Sequence, residues 1–290
     1  MSYNVKVYDY GTEKQYRIYQ RGINIKDKQG IEDGESDKNE DDSNKSKYAL
    51  EQKSDKSDSD RSMVVSANRT LNTIYELARS NYWEYFVTLT FDGSKINRYD
   101  YSVVTEKMKN FLKVMRRKNP DMRYVLVPEL HEDGAYHFHG VFSSIPNINI
   151  TDTGVYSFGK YTIHKTKLSP AQIEKGRLIY SLGNYGWGYS DIQKVGNSEK
   201  TANYITKYIT KELMQATKGK KRYWASRNLN KPIVTELALT HDEKEQLIEL
   251  LRSQAIHDKV VDVKAEGYSN QVRYIDIKTE SDKNEINECI

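Results

Sequence analysis

The chain has 290 residues, enough for one large domain or two small ones, and 37% of them are hydrophobic and 30% charged. No apolar run is long enough to cross a bilayer and the N-terminus lacks a signal-peptide pattern, so we expect neither a membrane partner nor secretion. The single cysteine, Cys289, excludes an intrachain disulfide, which fits a reducing cytoplasm.

Charge is segregated along the chain. Residues 26–60 carry a net charge of −5 and residues 276–290 a net charge of −3, whereas residues 61–275 carry +10. A basic folded part between acidic segments predicts a polyanionic partner.

The first 60 residues predict a small hairpin and a linker. Residues 1–25 alternate apolar and polar side chains on both sides of Gly11, which is typical of two short antiparallel strands. Residues 26–60 have few apolar residues and no periodicity, so we expect a disordered acidic linker that cannot offset its ordering entropy.

A helix, a strand and a second helix are predicted next, at residues 61–81, 85–91 and 102–118. The second helix ends at Asn119, before a proline. Its apolar stripe is surrounded by basic residues, which are Lys107, Lys109, Lys113, Arg116, Arg117 and Lys118.

The stretch 123–142 predicts a β-hairpin with polar side chains on one face. It alternates, breaks at residues 132–134 and resumes alternating, so His137 and His139 share a face. A five-residue loop would place His131 opposite His137 and Glu129 opposite His139.

These side chains predict a divalent metal site. Two histidines around a phenylalanine can also form a plain half-exposed polar face, but three of the six histidines fall within nine residues here. A mixture of carboxylate and imidazole favours Mg²⁺ or Mn²⁺, and ligand type alone leaves a zinc hydrolase open.

The region after the hairpin is less regular. Residues 144–180 predict an insertion or loop with a short helix near 170–180, and residues 186–195 predict another strand. Strand, helix and paired strands in this order indicate an α+β fold whose helices lie on one face of the sheet.

Residues 197–213 predict one helix that presents two stripes. An apolar stripe would pack on the sheet, and a second stripe has spacing i, i+3, i+4, i+7. The second stripe consists of Tyr204, Lys207, Tyr208 and Lys211. Ordinary packing explains most tyrosine pairs of this spacing, but next to a metal site and a basic surface the pair favours tyrosine attack on a phosphodiester.

The C-terminal third mixes cations with aromatic rings and then turns acidic. The mixture suits single-stranded nucleic acid, and its candidate DNA-binding residues are Lys220, Lys221, Arg222, Tyr223, Trp224 and Arg227. Residues 236–275 predict a helical extension with a capping box at Thr240 and Glu243, and residues 276–290 an acidic tail.

Residues 61–235 resemble the HUH endonuclease superfamily, and within it the rolling-circle replication initiators of the phage gene II-like and plasmid type. Three motifs occur in the family's order: the hydrophobic strand at 86–91, the His-Phe-His at 137–139, and Tyr-x-x-Lys twice at 204–211. The resemblance implies a ferredoxin-like antiparallel sheet with helices packed on it, the palm of an HUH endonuclease domain.

The resemblance also implies the roles of the candidate residues. His137 and His139 would bind Mg²⁺ or Mn²⁺ with Glu129, with His131 behind them, while Tyr204 or Tyr208 would be the nucleophile. The lysines at 207 and 211 would assist. The expected reaction nicks single-stranded origin DNA in the cytoplasm of a bacterial host cell, links a tyrosine to the 5′ end and frees a 3′-OH for a host polymerase.

Rival interpretations remain at this stage. A relaxase or a single-strand transposase of the same superfamily shares the chemistry, and a non-catalytic nucleic-acid-binding module explains the charge but not the Glu/His cluster. The chain contains no GxxxxGK[ST] phosphate-binding loop, so strand separation would need a host helicase.

Overall fold

The computed structural model describes residues 2–24, 58–159, 161–183, 185–195, 198–265 and 268–279. The chain forms two compact units, one from its two ends (Met1–Asn81 and Asn230–Ile290) and a central one from Tyr82–Leu229. The expected disordered linker, 26–60, lies outside the described residues apart from 58–60, which begin a helix.

The described residues contain thirteen strands and six α-helices. The strands are β1 Ser2–Asp9, β2 Glu13–Asn24, β3 Tyr85–Phe91, β4 Arg123–Leu130, β5 Tyr136–Ser143, β6 Ile150–Ser157, β7 Thr162–His164, β8 Arg177–Leu182, β9 Gly188–Lys194, β10 Trp224–Ala225, β11 Ile233–Leu237, β12 Ala255–Ala265 and β13 Tyr268–Lys278. The helices are α1 Asp58–Arg79, α2 Tyr101–Lys118, α3 Pro170–Lys175, α4 Ser198–Thr206, α5 Lys211–Ala216 and α6 His241–Arg252. None of these helices combines the length and apolar character that a bilayer crossing requires.

The terminal unit is built on a five-stranded antiparallel sheet in the order β11-β1-β2-β13-β12. The N-terminal hairpin is confirmed, as is the capping box that starts α6 at Thr240. The predicted helical extension 236–275 contains α6, but its second half is strand β12 and part of β13. The alternating valines at 261 and 263 are buried, so period-two packing determines this segment. The described start of the predicted acidic tail, 276–279, completes β13, and residues 280–290 lie outside the described residues.

The central unit is built on an eight-stranded antiparallel sheet in the order β10-β4-β5-β3-β9-β8-β6-β7. This confirms the α+β prediction, including the strands at 85–91 and 186–195 and the hairpin at 123–142. The interpretation of 144–180 as an insertion or loop was wrong. Three strands extend the sheet there, and the helix ends at Lys175 because Gly176 is followed directly by β8.

The two faces of the central sheet differ in chemistry because strand side chains alternate. We call the side that carries Thr88 and His139 the front face, and the side that carries Phe91 and Phe138 the back face. Helix α2 covers the back face through Tyr101, whose ring lies 5.0 Å from that of Tyr136. Helices α4 and α5 pack on β5 and β4. Helices therefore lie on both faces, and the prediction of a single covered face was wrong.

The predicted single helix 197–213 is broken into α4 and α5. The Thr206 hydroxyl donates to the carbonyl oxygen of Asn203 at 2.9 Å, and the backbone then leaves the helix. Thr210 restarts it as an N-cap, because its extended backbone lets the side chain accept from the Leu213 amide at 3.1 Å. Two threonines whose side chains compete for backbone groups thus explain the interruption.

Candidate metal and tyrosine site

The hairpin register differs from the predicted one by two residues. Glu129 lies directly opposite His137, and Val127 lies opposite His139. The loop begins one residue earlier than predicted because Gly134, with φ +83°, turns the chain so that the His131 amide donates to the Ala135 carbonyl. A shift of two residues keeps every side chain on its predicted face.

Glu129 contacts His139 across the diagonal of the two strands. The distance between Glu129 Oε2 and His139 Nε2 is 2.6 Å. His139 is buried, and burial lowers its pKa even though the Glu129 carboxylate acts to raise it. Burial acts to raise the pKa of Glu129, but the hydrogen bond from His139 and the nearby imidazoles outweigh it and hold that pKa below its usual value.

Two threonines of β3 contact the far ring nitrogens of the histidines. Thr88 Oγ1 lies 3.1 Å from His139 Nδ1, and Thr90 Oγ1 lies 3.3 Å from His137 Nδ1. Each threonine is the direct neighbour of its histidine across the β3–β5 pair. A partner on Nδ1 orients the ring and leaves Nε2 for a metal.

His131 flanks this group at its exposed end. Its ring stacks on that of His137 with centroids 5.1 Å apart, and its Nδ1 lies 3.5 Å from Asp133 Oδ1. Burial first and the neighbouring His131 second lower the pKa of His137, so this imidazole is held in its neutral form.

One carboxylate of the front face was missed by the sequence analysis. Asp191 of β9 lies opposite Thr88, which in turn lies opposite His139. Burial raises the pKa of Asp191, against the hydrogen bond from Gln193. The alternation of 188–194 placed Asp191 and Gln193 on one face, but nothing local in the sequence shows that β9 pairs with β3.

Both candidate tyrosines lie on the front face despite the break between α4 and α5. The Tyr208 ring stacks on His139 with centroids 3.6 Å apart and an interplanar angle of 5°. The Tyr204 ring meets that of Phe86 edge-on at 4.9 Å and that of Tyr208 at 5.5 Å. The two phenols differ in access, since Tyr204 is 42% exposed and Tyr208 only 6%.

Lys207 connects the two tyrosines. Its ammonium group lies 3.3 Å from the ring centroid of Tyr204 and 5.2 Å from that of Tyr208. It also acts to lower the pKa of His139. Lys211 begins α5 instead of continuing the stripe, and its side chain lies outside the described part.

The donor set suits a divalent cation, although no group of three or more His, Cys, Asp and Glu side chains in the described ranges is arranged to hold one as it stands. Glu129 Oε2 and His139 Nε2, the atoms that would bind the ion, are bonded to each other. Both Nδ1 atoms already have hydroxyl partners, which is the arrangement found behind metal-binding histidines. The residues therefore fit a small cation bound by Glu129, His137 and His139.

The predicted DNA-binding residues do not form one surface. Trp224 is 5% exposed and packs on Phe138 of the back face, so its ring cannot stack on a base. Arg222 donates to the Thr217 hydroxyl and the Met214 carbonyl at the end of α5. Lys220, Lys221 and Arg227 are exposed, and Tyr223 is half-buried.

Residues 84–213 match a family model that describes the replication-associated proteins ORF2 and gene II protein. The matched range runs from the start of β3 into α5, so it includes every side chain of the front-face site. No curated protein and no solved structure shows significant similarity to the chain. Over this part of its length, the chain is similar to replication-associated proteins.

Proposed function

We propose that the chain is a rolling-circle replication initiator that nicks and rejoins single-stranded DNA through a tyrosine. The observation that carries the proposal is the meeting of Glu129, His137 and His139 with Tyr204 and Tyr208 on one face of a sheet. The match of residues 84–213 to replication-associated proteins supports the DNA substrate. The phage gene II-like HUH endonucleases, which the three motifs resemble, support the chemistry.

The carboxylate and the two imidazoles would hold Mg²⁺ or Mn²⁺ through Glu129 Oε2 and the Nε2 atoms of the histidines. When bound, the cation would supply Lewis-acid stabilisation of the charge on the scissile phosphate. Thr88 and Thr90 would keep the histidine rings in the binding tautomer.

Tyr204 is the first nucleophile in this proposal, because it is the more exposed phenol and the Lys207 ammonium lies over its ring. Its oxygen attacks the phosphorus, the bond from phosphorus to the 3′ oxygen breaks, and the 3′ oxygen takes up a proton. The phenol proton is lost to solvent, and Lys207 stabilises the developing phenolate. The 5′ end stays linked to the protein, and the 3′-OH can be extended by a host polymerase.

Tyr208 would act in the second half of the cycle. Its ring is buried against His139, so it becomes available only when it moves off that imidazole. Attack by its oxygen on a new junction after one round of synthesis would release the first linkage and allow the strand to be rejoined. Separation of the duplex would be left to a host helicase.

The test is incubation of the purified chain with Mn²⁺ and single-stranded DNA that covers the origin of its own replicon, followed by a denaturing gel. Protein-linked DNA that disappears with EDTA supports the proposal. Cleavage without a linked product would indicate a metal-dependent hydrolase. Binding without cleavage would indicate a non-catalytic module.

A further inference from the structure

The outer side of α2 carries a stripe of cations on the back of the central unit. Lys109, Lys113, Arg116 and Arg117 have spacing i, i+4, i+7, i+8, and all four are exposed. The stripe is about 12 Å long at 1.5 Å per residue. Glu106 is the one acidic residue of this helix.

Helix α2 covers the face of the sheet opposite the histidines. Its first residue, Tyr101, packs on Tyr136, which has the same parity as Phe138. Its middle residue Phe111 packs on Tyr185, which in turn contacts Phe91 of the back face. A strand held at the front-face site therefore cannot also lie along the stripe on α2.

Two further lysines extend the stripe at the start of α2. Lys220 and Lys221 line a pocket of about 390 Å³ together with Lys109, and the Lys220 ammonium lies 5.4 Å from the ring centroid of Tyr101. The Tyr101 hydroxyl donates to the Lys221 carbonyl, which fixes this segment against the helix.

None of these cations makes an ion pair with a described residue, which separates the stripe from an ordinary solvated face. Helix α6 shows the ordinary case, since acidic and basic side chains alternate along it and Arg252 lies 3.3 Å from Asp258. Uncompensated cations on one side of a helix repel each other, so their clustering indicates a bound polyanion.

We infer that the α2 stripe and Lys220 and Lys221 form a second nucleic-acid site, which binds the phosphate backbone of duplex DNA. The aromatic rings at this surface, Tyr101 and Trp224, are buried, so the surface offers cations without a platform for stacking. A duplex presents phosphates and hides its bases, whereas a single strand gains much of its affinity from stacking. The inference rests on the proposed function only for the identity of the polyanion as DNA.

The experiment measures binding of a labelled 24-base-pair duplex by fluorescence anisotropy, in EDTA and over a range of salt concentrations. The protein is the full chain with Tyr204→Phe and Tyr208→Phe, so no strand can be cut. The back-face variant adds Lys109→Gln, Lys113→Gln, Arg116→Gln and Arg117→Gln. The matched control removes the same charge at exposed lysines elsewhere, namely Lys165, Lys167, Lys175 and Lys231.

We expect the back-face variant to bind the duplex at least about tenfold more weakly, with a salt slope smaller by about 3 to 4. The control should stay within about twofold of the parent. Equal weakening in both variants, or a parent that binds anionic lipid vesicles but not duplex, would overturn the inference.

The same four substitutions on the wild-type tyrosines separate this inference from the proposed function. Cleavage of a short single strand should continue at the wild-type rate. If the parent binds duplex through the stripe but the wild type never forms a DNA link, the proposed function fails and the second site stands. If the link forms but the duplex does not bind, the reverse holds.

Discussion

The hydroxyl of Thr88 provides a specific test of the metal site. Thr88→Val keeps the shape and β-branching of the side chain and removes only the group that lies 3.1 Å from His139 Nδ1. Without that partner the His139 ring loses its orientation, and Nδ1 competes with Nε2 for the proton. Loss of such an outer partner costs about 10- to 100-fold in metal affinity, which is about 1.4 to 2.7 kcal/mol.

The assay is calorimetric titration of the metal-free chain with Mn²⁺, so it does not depend on finding the DNA substrate. Thr88→Ser is the matched control, because it retains a hydroxyl and should recover most of the affinity. Equal Mn²⁺ affinity in Thr88→Val and wild type would refute the proposed role of the threonine. Equal losses in the valine and serine variants would assign the effect to packing.

The remaining predictions concern packing, pH and charge. Gly140→Ala should lower the free energy of unfolding by about 1 to 3 kcal/mol in thermal or urea melts, because a Cβ there would lie 2.6 Å from a Leu126 side-chain carbon. Gly186→Ala has no atom within 4 Å and should be nearly neutral. Burial lowers the pKa of His137 and His139, so Mn²⁺ affinity should persist below pH 6.5, and a decline centred at pH 6.5 would contradict this. The same shifts make the unfolded chain bind more protons, so stability of the metal-free chain should fall as pH drops below 6.5. Lys207→Met should slow cleavage of single-stranded DNA without changing its Mn²⁺ affinity.

The face on which each front-face residue lies could be predicted from the sequence, but its neighbours could not. Period two puts His137, His139 and Glu129 on one side whatever the turn, so the two-residue error in register left the cluster intact. The position of the turn depended on the backbone of Gly134, which residue type alone leaves open between two frames. Asp191 was missed because strand order in a sheet is set by non-local packing.

Non-local pairing also explains the errors at the chain ends. Strand β13 pairs with β2, which lies some 250 residues earlier, and no local signal announces such a partner. The break between α4 and α5 is a different case, because the threonines responsible are visible in the sequence. Their competition with the helix could be judged only once the helix was seen to end against the sheet.

The covalent link is the most direct test of the central claim, which is that a front-face tyrosine attacks DNA. Wild-type chain, Tyr204→Phe, Tyr208→Phe and the double variant would be incubated with Mn²⁺ and 5′- or 3′-labelled origin DNA, then separated on a denaturing gel. We predict a linked product that carries the 5′ end, is retained by Tyr208→Phe, and is lost in Tyr204→Phe and in the double variant. Loss in Tyr208→Phe alone would reverse the order of the tyrosines. A linked product that survives in the double variant, or wild-type cleavage with no link, would contradict the account.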